Sequence, residues 1–265
     1  MHYMDGCSLI PINYDQHRCY GWKNPEGFGF ALRFALCSLA KEEISRAAQS
    51  LPVALRQREG RWEAVAVMGP VHSVNVMVDR LGRWRAGYVP AVLRVYPFAL
   101  GEGNQLCLWP DYRVQSLADS TVKPFFDGEE WPQELKALQA FLVARQRGVV
   151  AVHTVVESLA AHSLLRPWPI PGLEKPDPAR AIDGLFSVDS QKLLMVEGPL
   201  LKTLFKKGDL RWIYAHIDSL YHAERFKLLG QRFVEQELLD ADVAKNRRVT
   251  DVLQSLIEDQ GDAAL

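Results

Sequence analysis

The stretch Trp84 to Leu100, WRAGYVPAVLRVYPFAL, constrains this chain more than any other. Pro90 and Pro97 bracket a dense run of aliphatic and aromatic residues in which the only charge is Arg94. Proline has a fixed φ and no amide donor, which suits the first position of a helix. A short buried helix is therefore predicted over Ala91 to Val95. Pro97 then forces Tyr96 towards an extended conformation, so a strand is expected from Phe98. Because its neighbours must pack, Arg94 is expected to reach out of a core wall to a carboxylate or a carbonyl.

The 265 residues suffice for one large domain or two small ones. A formal net charge of −1 gives no overall reason to expect nucleic acid or an acidic membrane as partner. Locally, residues 56 to 94 carry seven arginines against Glu59, Glu63 and Asp79. A solvated sheet face is the ordinary reading of that excess, and an anion site is the sharper one. Cys7, Cys19, Cys37 and Cys107 show neither CxxC nor zinc-like spacing, so buried free thiols are expected. Residues 1 to 14 have no basic and apolar leader pattern, and no run approaches the roughly 20 apolar residues that span a bilayer. The expectation is a soluble cytoplasmic protein with no membrane insertion.

Taken in order, residues 1 to 30 are expected to form an irregular aromatic arm packed across the body. Ser38 is a candidate N-cap for a helix to about Ser50, with Ile44, Ala47, Ala48 and Leu51 inward. Trp62–Met68 and Ser73–Val78 are predicted strands, with a turn at Asp79–Gly82. GEGN at 101–104 is predicted to join Phe98–Leu100 to Leu106–Trp109 as a hairpin. A helix is expected from Pro132 to Gly148, with Leu135, Leu138, Phe141 and Leu142 as its apolar stripe, and a second over about 149–165. The segment 166–181 holds five prolines and marks a connection between residues 1–165 and 182–265, with a single compact unit still expected. Leu185–Val188 is a predicted strand, Asp189 an N-cap, and Pro199 a helix start. Gly208 and Asp209 mark a helix–helix corner before Leu210–Tyr221, and a polar helix is expected beyond it. The fold class is α+β: an antiparallel β-rich core over about residues 60–110, flanked by N-terminal and C-terminal helices.

Candidate chemistry is sparse. His153 and Glu157 stand at i, i+4, a spacing that can share a metal, but His162 is out of phase with them, so a surface pair is the simpler reading. Tyr214, Asp218 and His222 lie on one helix side, where an Asp–His pair can do acid–base work and a solvated face is the plainer alternative. His216 flanks the apolar stripe and reads as an interface histidine. There is no GxSxG elbow, P-loop or GxGxxG. No metal, no cofactor and no catalytic residue is assigned. Arg94, Tyr88, Asn75 and His216 are the candidate binding residues, for a protein or small-molecule partner.

Asn75-Val76-Met77-Val78-Asp79, then Gly82 and Trp84, then Tyr88-Val89-Pro90-Ala91 and Arg94-Val95-Tyr96-Pro97-Phe98 resemble the signature of the SapC family. Gly184-Leu185-Phe186-Ser187-Val188-Asp189 with Leu193, and Gly208-Asp209-Leu210 with Tyr214-Ala215-His216 and Ser219-Leu220, are similar to its C-terminal block. The resemblance covers roughly residues 40–235. It implies a bacterial accessory protein related to surface layers, with no established activity and no site to carry over. It also implies genomic neighbours of the halogenase-like and cupin-like kinds, which keeps an enzyme or partner subunit acting on a small molecule or peptide as the alternative. The permease label sometimes attached to the family name is at odds with a sequence lacking a spanning run.

Overall fold

The computed structural model of the chain describes residues 8–171 and 181–226. The elements before the central stretch are β1 (Ile10–Pro11), α1 (Tyr14–His17), β2 (Tyr20–Trp22), β3 (Leu36–Leu39), α2 (Lys41–Ala47), β4 (Val53–Arg58) and β5 (Arg61–Val67). Then come α3 (Ala91–Arg94), β6 (Phe98–Leu100), β7 (Leu106–Leu108), β8 (Gln115–Ser116), β9 (Lys123–Pro124) and α4 (Gln133–Ala161). The chain continues with β10 (Leu165–Pro167), β11 (Leu185–Val188), α5 (Ser190–Leu194), α6 (Pro199–Lys206) and α7 (Asp209–Ser219).

The fold is α+β, and every strand pairing in its three sheets is antiparallel. The main sheet has the order β10-β11-β4-β5-β3. Its centre is a hairpin closed by Arg58↔Arg61, whose two turn residues, Glu59 (φ 49°) and Gly60 (φ 74°), both take the left-handed conformation of a type I′ turn. The strand ends away from that turn, Val53–Leu55 and Ala64–Val67, are buried side by side, which is why they read as continuous apolar runs. Two small sheets, β1-β7-β6 and β8-β2-β9, take in Ile10–Pro11 and Tyr20–Trp22 of the N-terminal arm as strands. The predicted 98–108 hairpin, the Leu185–Val188 strand and the short helix after Pro90 are all present.

Four expectations are corrected. Ser38 does not cap a helix but lies in β3, where Leu36–Leu39 gains a ladder with Val67–Ala64; the helix begins at Lys41. Residues 73–78 form no strand: the Asn75 side chain turns its own backbone by accepting from Met77 N–H at 2.9 Å. Gly148 does not end a helix, for α4 runs unbroken through 29 residues, about 43 Å. A Cβ built on Gly148 would sit 2.9 Å from Ala40 Cβ and closer still to Glu42 Oε2, so the glycine is what lets α4 lie against the start of α2. That contact offsets the roughly 1 kcal/mol that a mid-helix glycine costs. Asp209 is the first residue of α7 rather than its cap; its buried carboxylate accepts from Trp212 Nε1 at 2.9 Å and pairs with Lys41 at 2.6 Å, while Gly208 before it is left-handed as expected. The polar helix expected beyond α7 lies outside the described residues.

α4 is the spine of the packing. Its first half gives Leu135 and Leu142 to a core built on Trp22, Phe98, Leu106 and Phe125. Its second half gives Val152, Val156 and Leu159 to the larger core of the main sheet. Phe141, expected on the stripe, is exposed. Arg145 stands between the two cores with its side chain 3% exposed. Its Nε donates to Glu43 Oε2 at 3.2 Å, and its Nη2 donates to Ser38 O and, at 3.3 Å, to Ser38 Oγ. Glu43 is used on both oxygens: Oε2 also accepts from Ala40 N–H (3.1 Å), and Oε1 accepts from Tyr88 OH (2.9 Å) and Ala91 N–H (2.7 Å).

Arg145 is thus a guanidinium held in the core wall, and Arg94 is not: it is exposed, lying 5.8 Å over the Tyr88 ring. The turn from Pro90 to Arg94 buries Ala91, Val92 and Leu93, which leaves the fourth residue on the outside. Glu43→Gln, which removes the buried Arg145–Glu43 ion pair, is expected to destabilise the fold by about 3–5 kcal/mol. Arg94→Met is expected to cost no more than about 0.5 kcal/mol. Urea melts of both variants check this; comparable losses would mean that the buried pair is not what holds the wall.

Candidate functional site

One face of the main sheet is read off its register. Arg56 opposes Glu63, Arg58 opposes Arg61, and Ser38 opposes Val65, so these residues and Leu36 share a face. α4 runs alongside. At one level Arg145 reaches Ser38; at the other, His153 Nδ1 accepts the N–H of Trp62 at 3.1 Å, where β3 has turned away into α2 and left that donor without a strand partner. The two levels are three residues apart on β5, about 10 Å, and eight apart on α4, about 12 Å, so helix and strand run side by side. α3 closes the far end with Val92 and Leu93.

Between them lies a cleft of about 850 Å³. Its inner end is apolar, made by Phe34, Leu36, Val65, Val92, Leu93 and Trp109, and its outer end, at the hairpin turn, is charged by Arg56, Arg58, Glu59, Arg61 and Glu63. Val149, Val150, Gln146 and His153 of α4 form the other wall. Such volumes suit small organic ligands. Burial pushes the Glu63 carboxyl upward, while Arg56, Arg58 and Arg145 pull it back. Cys37, also in the wall, has its thiol pushed far up by burial, which removes it as a nucleophile at neutral pH. The Gln146 Oε1 atom is buried and has no hydrogen-bond partner.

The four residues singled out from sequence are not brought together. Tyr88 and Arg94 are neighbours, but the Tyr88 hydroxyl is spent on Glu43; burial first, then that carboxylate, pushes it up to about 12, so it stays a donor. Asn75 is fully buried, donating to Ala31 O at 2.9 Å and accepting from Met77 N–H. His216, also fully buried, spans the gap between β4 and β11: Nδ1–H donates to Val53 O (2.7 Å) and Nε2 accepts from Val188 N–H (3.1 Å). Ser219 Oγ takes the Val53 N–H at 2.9 Å, so α7 satisfies both backbone groups of Val53. His216 is the interface histidine its position implied. Tyr214 and Asp218 face solvent, but His222 does not join them: a 3₁₀ turn over Leu220–Ala223 swings it inward to Ala48 O at 3.1 Å.

His153 and Glu157 form a loose pair at 3.8 Å. Among the described residues no three His, Cys, Asp or Glu side chains gather as a metal site, no disulfide forms, and no helix is long and apolar enough to cross a membrane. The charged end of the cleft could be found in the sequence only as part of the arginine excess over residues 56–94. Nothing local announced Gln146 or Val149, whose place depends on α4 continuing through Gly148.

Burial holds the His216 imidazole down at about 4 from an ordinary 6.5. As pH falls below about 6.5 the unfolded chain takes up a proton that the folded one refuses until about 4, so stability is lost across that window, by roughly 3 kcal/mol at its lower end. His216→Gln should be less stable than the parent at neutral pH and should converge on it as pH falls. Urea midpoints of the two proteins across this range check the sign; a gap that widens at low pH would contradict it.

No curated protein and no solved structure matches the chain. The SapC family model matches residues 12–226, which take in both cores, the whole central stretch and every residue of the cleft. The chain belongs to the SapC family.

Proposed function

We propose that the chain is an accessory binding protein of bacterial cell-surface, S-layer-related systems, working from the cytoplasm and holding a small partner in the cleft between β5, α3 and α4. The cell-surface association rests on the family. The binding role rests on one observation: the cleft joins an apolar floor to a charged mouth, while its ionisable groups form no nucleophile–base pair. Cys37 stays a thiol, and His153 Nδ1 is occupied by the Trp62 amide. Glu63, pushed up beside Arg56, is placed to move a proton, and on this account it serves recognition instead.

Val150 is exposed on the rim of the cleft, so Val150→Trp fills the mouth without entering the core. In equilibrium dialysis against a small-molecule extract of a bacterial host, the parent protein is expected to retain one or a few compounds unchanged, and Val150→Trp is expected to retain none of them. Conversion of a retained compound would favour the enzyme or partner-subunit alternative. Equal retention by both proteins would place binding elsewhere.

A further inference from the structure

Resting on the cleft as a binding site, we propose that its ligand is an amphipathic monocarboxylate: a carboxylate at Arg56, an apolar body along Val65, Val92 and Val149, and a hydrogen-bond donor at the inner end against Gln146.

Three observations carry this. The first is charge. The outer end holds Arg56, Arg58 and Arg61 against Glu59 and Glu63, an excess of one positive charge. Arg58 faces Glu59 at 3.8 Å. Arg56 is half-buried and has no hydrogen-bond or ion-pair partner among the described residues; the carboxyl opposite it, Glu63, is driven by burial towards its neutral form. A half-buried guanidinium that makes no close ion pair with the carboxyl opposite it on the next strand is a place where one added anion is stabilised, and a planar carboxylate matches its fork.

The second is shape. From the Ser38–Val65 level to the Trp62 level the cleft runs about 10 Å along the strand, and its inner half is lined by aliphatic and aromatic carbon. A straight apolar chain fits that channel, where each buried methylene contributes about 0.8 kcal/mol. The third is the orphan. Gln146 follows Arg145, whose guanidinium marks the inner level, and its Oε1 is buried without a donor. A buried acceptor left unmade costs about 1–3 kcal/mol, which a ligand hydroxyl or amide N–H would recover once the Gln146 side chain turns its Oε1 into the cleft.

The test uses three probes below their aggregation concentrations: decanoate, decanol and 10-hydroxydecanoate, whose chains are long enough to reach from the charged mouth to the inner end. Isothermal titration calorimetry is run on the parent protein, Arg56→Met, Arg56→Lys, Gln146→Leu and Val150→Trp, with thermal melts to show that each is folded. Decanoate is expected to bind at least tenfold more tightly than decanol. Arg56→Met should erase that difference, and Arg56→Lys should restore part of it. 10-hydroxydecanoate should bind more tightly than decanoate, and Gln146→Leu should remove only that gain. Val150→Trp should bind none of the three. Equal binding of decanoate and decanol, or unchanged decanoate affinity in Arg56→Met, overturns the carboxylate assignment while leaving the cleft a binding site. Equal binding of the two acids overturns the donor assignment. Retention of extract compounds by the parent protein together with failure of all three probes would overturn this ligand class and keep the binding role.

Discussion

The Glu43 carboxylate is the interaction on which the rest of the molecule depends. A charge taken out of water is costly unless its partners are complete, and Glu43 has four: Arg145 Nε, the Tyr88 hydroxyl and the amides of Ala40 and Ala91. The four partners come from three pieces of chain. Ala40 begins α2, Arg145 lies midway along α4, and Tyr88 and Ala91 sit at the entry to α3. One carboxylate therefore fixes the start of a short helix, the phase of the long one and the position of the central stretch. Its partner Arg145 adds β3 to the same node through Ser38. Neighbouring bonds fix the approach to α3: Trp84 Nε1 donates to Tyr88 O at 2.9 Å, and Tyr88 N–H donates to Ser50 Oγ at 3.1 Å.

The cleft follows from that node. Its walls are β3 and β5, α3 and α4, and three of these four elements are held directly by Glu43 or Arg145. Ala91 N–H on Glu43 sets where Val92 and Leu93 point; Arg145 on Ser38 sets where Gln146 and Val149 face the sheet. The fourth, β5, is fastened to α4 by His153 at Trp62. Polar bonds thus clamp the cleft at both ends, and the space between can stay open without the helix settling onto the sheet. On the binding account this is preorganisation: the cost of keeping the cavity is met by the fold rather than by the ligand.

Much of this was legible in the residues. The prolines at 90 and 97 announced the short helix and the strand after it, GEGN announced the hairpin, and Gly208 announced the corner before α7. The site was harder to read. Residues 53–58 do not alternate cleanly, because Val53, Ala54 and Leu55 are buried on both faces while Arg56 and Arg58 turn to the cleft, so β4 carried no period to detect. Gly148 reads as a break, since its helical place depends on the close approach of α2. Arg94 drew attention as the lone charge in an apolar run, yet a one-turn helix leaves one side free and Arg94 took it. Arg145 is three residues after Leu142 and seven before Val152, squarely on the buried stripe of α4, but with a helix read as ending at Gly148 that spacing is hidden. What no single segment could reveal was its partner, because Glu43 lies about a hundred residues earlier.

Amide hydrogen exchange at Ala91 tests the central role of Glu43 most directly. Ala91 is the first residue of α3, where the helix offers its N–H no acceptor, and among the described residues that N–H is held by the Glu43 carboxylate. The account predicts that in the parent protein this amide exchanges as slowly as Val65 and Ala66 of the central hairpin. In Glu43→Gln it should exchange much faster than those strand amides, as the central stretch comes loose before the sheet does. An Ala91 amide that exchanges rapidly in the parent, or keeps its protection relative to the strands in Glu43→Gln, would contradict the account.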